Sequence, residues 1–92
     1  MQTELLIDCR QFDTPDSLHR YLAEQLAFPV YYGSNWDALY DVLSTYSRPL
    51  TLYITQTAAL ADTFGSIQAE IFFAVLRDAV RENPLLNIEY PV

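Results

Sequence analysis

The sequence predicts a small α/β domain: a three-stranded parallel sheet packed with three to four helices. Two observations carry this. Strand-like segments are separated by helical ones in the order strand, helix, helix, strand, helix, strand, and strands joined through helices run parallel with right-handed crossovers. The second and third strands alternate apolar and polar residues, so the helices are expected to cover mainly one face of the sheet. Prolines at positions 15, 29, 49, 84 and 91 punctuate the chain between or beside these segments.

Glu4 to Asp8 (ELLID) is a short apolar run that reads as the first strand. Thr14-Pro15-Asp16-Ser17 is a helix start. Thr14 stands as N-cap, Pro15 takes the first helical position, and Asp16 meets the positive end of the dipole. Leu18, Tyr21, Leu22 and Leu26 follow at helical spacing, and Phe28-Pro29 stops the helix. After a connection containing Tyr31, Tyr32 and Gly33, Ser34 is expected to cap a second helix, with Asp37 as the partner in a capping box. Trp36, Leu39, Tyr40 and Leu43 form its apolar stripe. Leu50 to Thr55 alternates as a half-buried strand. Thr57 to Gly65 reads as short helix or irregular chain. Ser66 is the expected cap of the longest helix, which ends at Asn83-Pro84, and Leu86 to Tyr90 is the last strand.

At 92 residues the chain has room for one domain, taken as residues 1–92. A chain of this size buries only about 60–65% of the surface its unfolded form exposes, so its core must be efficient. Half the residues are hydrophobic, too many for a disordered acidic chain. The net charge is −7, with 12 acids against 5 basic residues, all of them arginine. Such a chain repels phosphate, which argues against nucleic-acid binding, and a basic protein is its natural partner. The lone Cys9 cannot form an internal disulfide, which favours a reducing compartment. Met1 to Arg10 carries Glu4 and Asp8 and does not read as a signal peptide. No apolar run approaches a membrane span, so the cytoplasm without membrane contact is the expectation; a monomer is expected.

The stretch from Arg20 to Arg48 is the informative one. It has no basic residue inside it, yet holds Glu24, Asp37 and Asp41, the only tryptophan, and Tyr31, Tyr32, Tyr40 and Tyr46. Asp37 and Asp41 are four residues apart and stack on one helix face. Like charges at this spacing cost a few tenths of a kcal/mol in an isolated helix. They read either as a solvated polar stripe or as a binding pair. Tyr31, in a loop before a helix start, leans toward an interface; Tyr32 is open. Trp36 sits on the apolar stripe and reads as core. On the long helix Asp78 falls outside the Glu70/Arg77/Arg81 stripe, near Ile67, Ile71 and Ala74. There it is a solvated rim residue or a third acid beside Asp37 and Asp41.

The run Leu26-Ala27-Phe28-Pro29-Val30-Tyr31-Tyr32-Gly33-Ser34-Asn35-Trp36-Asp37-Ala38-Leu39-Tyr40-Asp41-Val42-Leu43 resembles the barstar family, the intracellular inhibitors of barnase-like ribonucleases. Ser17-Leu18-His19, Pro49-Leu50 and Val75-Leu76-Arg77-Asp78-Ala79 extend the likeness to nearly the whole chain. The resemblance implies a barstar-like fold and a non-enzymatic inhibitor whose acids replace substrate phosphates in a basic nuclease. By position, Asp41 would be the central phosphate mimic, Asp37 the second acid, and Asp78 the counterpart of a family glutamate. Tyr31 would stack in the nuclease site, Gly33, Asn35 and Trp36 would line the contact, and Tyr40 and Tyr46 would stand where tryptophans are found. Val30 and Ser34 replace acids of the family pattern, and Trp36 replaces a smaller aliphatic residue, so its core reading competes with an interface one.

Other functions find less footing. Asp37 and Asp41 as an acid/base pair would lie on one convex helix and not across a cleft. His19 has no nucleophile paired with it and reads as a surface or half-buried helix residue. No Cys/His spacing suggests a metal, and no cofactor is implied. Cys9 reads as a small buried residue. A binding module of this fold for a different basic protein is the alternative.

Overall fold

The computed structural model describes residues 3–91. Met1 and Gln2, which begin the segment read above for a leader, and Val92, the end of the expected domain, lie outside the described residues. The strands are β1 (Thr3–Asp8), β2 (Leu50–Thr55) and β3 (Leu86–Glu89). The helices are α1 (Pro15–Leu26), α2 (Trp36–Ser44), α3 (Ala58–Phe64) and α4 (Ser66–Glu82), and a short 3-10 turn covers Cys9–Gln11. The sheet order is β1-β2-β3, with both pairs parallel. The fold class is therefore α/β with a three-stranded parallel sheet and four helices.

Register explains why one sheet face is dry. Leu5, Leu52 and Ile88 are aligned across all three strands; Ile7 aligns with Ile54, and Leu50 with Leu86. These rows meet Leu18 and Leu22 of α1, Leu39 and Leu43 of α2, and Phe72 and Leu76 of α4 in one core. Each such side chain contributes about 1.5–3 kcal/mol by leaving water. The other face carries Glu4, Leu6, Thr51, Tyr53, Asn87 and Glu89, and is more polar. Cys9 is fully buried, and burial, then the charge of Asp8, pushes its thiol up to about 11.

The α1 start is as read from sequence. Thr14 Oγ1 accepts from the Ser17 N–H at 3.2 Å, and Ser17 Oγ accepts from the Thr14 N–H at 3.3 Å. Two other starts differ. The N-cap of α2 is Asn35, not Ser34: Asn35 Oδ1 accepts from the Ala38 N–H at 2.8 Å. Ser34 stands at φ +52°, a left-handed turn that cannot serve as the extended cap. Ser66 is already helical; Gly65 precedes it at φ +84°, where a side chain would be strained, and α4 has no side-chain cap. The final strand ends at Glu89, one residue before Tyr90.

Candidate partner-binding face

The face is built where α2 lies against α4. Two polar clasps hold the helices together. At the start of α2, Trp36 Nε1 donates to Gln68 Oε1 at 2.7 Å, and the indole packs against Phe72 with centroids 5.7 Å apart. At its end, the buried Asn83 side chain donates to the carbonyls of Leu43 at 2.9 Å and Tyr46 at 3.0 Å. It also accepts from the Leu85 N–H at 3.0 Å. Carbonyls at a helix C-terminus lack intrahelical donors, and Asn83 adds one from another element to the Leu43 carbonyl, which also accepts from the Tyr46 N–H at 3.4 Å.

Between the clasps the acids are exposed. Asp37 sits in the first turn of α2 and Asp41 one turn on, both exposed. Among the described residues neither carboxylate forms an ion pair or a hydrogen bond. Tyr40 lies half-buried beside Asp41. Its phenol is held above the ordinary value, first by loss of water contact, then by the charges of Glu82, Asp78 and Asp41. Acids of α2 and α4 are thus grouped around one tyrosine. Asp78 is partly neutralised by its own helix, with Arg81 at 3.7 Å and Arg77 at 3.9 Å, both long and exposed contacts. Sequence reasoning missed Glu82, although its place four residues after Asp78 was a signal.

The loop before α2 borders this face. Val30 and Tyr31 are almost fully exposed, at 104% and 85%. Asn35 pins the loop to the helix: while its Oδ1 caps Ala38, its Nδ2 donates to the Gly33 carbonyl at 3.4 Å. A Cβ on Gly33 would come within 3.0 Å of that Nδ2, so glycine allows the approach. Tyr31, Gly33 and Asp41 share a small cleft of about 180 Å³ with Pro29, Ala38 and Val42.

Other side chains are committed inward. Tyr32 is half-buried, its ring 4.9 Å from Phe28 and its hydroxyl 2.6 Å from His19 Nδ1. His19 is buried, at 2% exposure, not at the surface or half-buried as its lone position on α1 suggested. It is enclosed because the loop and α2 fold over it. Trp36 is half-buried, with its ring 4.6 Å from that of His19. Tyr46 is half-buried, with the Arg48 guanidinium 5.6 Å above its ring.

With this geometry in view, comparison with known proteins is decisive for the family. The family model described as Barstar (barnase inhibitor) matches residues 2–89. The chain belongs to the barstar family. A Bacillus subtilis (strain 168) protein named "Putative ribonuclease inhibitor YrdF" is 36% identical over 80 residues, covering 86% of this chain and 87% of that protein. The family takes its description from inhibition of a ribonuclease, barnase. Among the described residues of this barstar-family chain, no helix is long and apolar enough to cross a membrane.

Proposed function

We propose that this protein inhibits a basic, barnase-like ribonuclease by filling its active site with carboxylates, and that it does so from the cytoplasm as a one-domain monomer. The observation that carries the reading is that Asp37 and Asp41 stand exposed one turn apart on α2, while the charges of Asp78 and Glu82 from α4 also raise the phenol of Tyr40 beside Asp41. Asp37 continues that face toward the α2 start. A ribonuclease site holds cationic donors arranged for phosphate, and carboxylates on a rigid helix offer them charge-assisted hydrogen bonds. Tyr31, Gly33 and Asn35 border the contact on the loop, with Tyr40 and Tyr46 along α2. Trp36 enters chiefly as the support of the α2 start. The inhibitor acts by occupancy and transforms nothing. It needs no metal or cofactor and binds neither nucleic acid nor membrane.

The test is titration of barnase activity with the wild type, Asp41→Ala and Glu24→Ala. Asp41→Ala should weaken inhibition by roughly tenfold or more, since one charged hydrogen-bonding partner is lost. Glu24→Ala, an exposed change on α1, should alter it little. Equal small effects would reject the face.

A further inference from the structure

The flank of α4 turned away from α2 forms one wall of a groove, and β3 with the residue after it forms the other. Phe73 and Val80 of α4 meet Ile88 and Tyr90 across a space of about 450 Å³, with Arg77 and Arg81 on its rim. Val80 is 37% exposed and Tyr90 51%, so apolar surface is left open. We infer that this groove is a second docking site, which takes an extended segment of another protein as a strand added to the free edge of β3. The segment's inward side chains are apolar over Phe73, Val80 and Ile88, and one is a carboxylate that meets Arg77 and Arg81. The site does not depend on the inhibitory reading.

The backbone supplies the edge. Successive residues of a strand turn their main-chain groups to opposite sides. The Leu50 N–H donates to the Leu85 carbonyl at 2.9 Å, so Leu85 and Asn87 face β2 while Leu86 and Ile88 face outward. In the order β1-β2-β3 no strand lies on that side among the described residues. At the other edge of the sheet, the Leu6 carbonyl of β1 already accepts from the Tyr21 hydroxyl at 3.0 Å. Pro91, which has no N–H to offer, ends the usable edge after Tyr90. An added strand directs alternate side chains at α4, over the groove.

Charge names the occupant. Two of the chain's five basic residues stand on this rim, and both approach the same Asp78 oxygen, at 3.9 Å and 3.7 Å. One carboxylate thus serves two exposed guanidiniums over long contacts, which leaves their forks open to a second. Burial, then the neighbouring Cys9, raises the Tyr90 phenol, and the charge of Arg77 opposes them, so the cationic field reaches across the groove. A second copy of this chain is disfavoured, since each carries a net charge of −7.

The probe is the acetylated, amidated peptide TVTETVT, whose valines and glutamate share one face as a strand. Followed by amide NMR, it should shift Ile88, Glu89 and Tyr90 and the last two turns of α4, saturating with a Kd at or below about 1 mM. TVTKTVT should bind roughly tenfold more weakly, because a charged hydrogen-bonding partner is replaced by a like charge. Arg81→Gln should weaken TVTETVT roughly fivefold and leave TVTKTVT no weaker. Val80→Asp should abolish binding of TVTETVT while inhibition of barnase stays as in the wild type. Equal affinity for the two peptides, shifts away from β3, or no saturation would overturn the inference. So would a dimer of the free protein, seen by sedimentation and broken by Val80→Asp, which would assign the edge to a second copy. If the wild type fails to inhibit barnase, the functional reading falls, and the peptide titrations still decide this one.

Discussion

Asn83 reaches from the end of α4 to the main chain of α2, donating to the Leu43 carbonyl at 2.9 Å. The same amide group holds Tyr46, so one side chain closes the α2 C-terminus and fixes where the next segment leaves. In the sequence Asn83 reads only as a helix stop before Pro84. Asn83→Ala should cost about 2–3 kcal/mol, because the Leu43 and Tyr46 carbonyls each lose a buried donor and the Leu85 N–H its acceptor together. Chemical denaturation checks it; a loss below about 0.5 kcal/mol, the scatter of ordinary surface substitutions, would show that water replaces the clasp.

Tyr40 reports on the acids without any partner present. If Asp41, Asp78 and Glu82 hold its phenol up by their charge, then Asp78→Asn and Glu82→Gln should each move its ionisation back toward the ordinary value. Alkaline absorbance titration against a Tyr40→Phe blank measures this. Asp37→Asn should leave the transition nearly in place.

Acid should weaken the fold through His19. Its folded form resists protonation, whereas the unfolded chain takes its proton near pH 6.5, about the ordinary value. Between those two points the unfolded state binds more protons, so stability falls as pH drops below about 6.5 and levels once the folded form is also protonated. Urea midpoints at neutral and mildly acidic pH should therefore separate in the wild type and converge in His19→Gln.

Association with barnase should slow steeply as salt is added, because a chain of net charge −7 is drawn to a basic site over distances that salt screens. Glu82→Gln should reduce that slope along with Asp41→Ala. Tyr31→Phe, which keeps the ring, should weaken binding less than Tyr31→Ala. Stopped-flow rates across a salt series test the first two, and dissociation rates the third.

The fold was legible because its signals are local. Thr14-Pro15, the alternation of Leu50 to Thr55 and the stripe Leu39/Leu43 each act within a few residues. The α2 start was misplaced by one position because Ser34 and Asn35 are both good caps and only backbone torsion separates them. Much of the site's character was not local. His19 lies on a single helix in sequence, and its burial depends on Tyr32 and Trp36 arriving from two other segments. Glu82 joins Asp41 only through the packing of α4 on α2. Gln68 carried no sequence signal at all, since a surface glutamine becomes a clasp only when an indole N–H is brought to it.

The clasps at the two ends of α2 have a consequence for how this face can change over generations. Trp36 with Gln68, and Asn83 with Leu43, fasten the helix through atoms that Asp37, Asp41 and Glu82 do not touch. Those three carboxylates can be exchanged one at a time without reopening the joint between helices. A lineage of such molecules can therefore redraw its outward pattern to follow a drifting adversary while inheriting the same chassis.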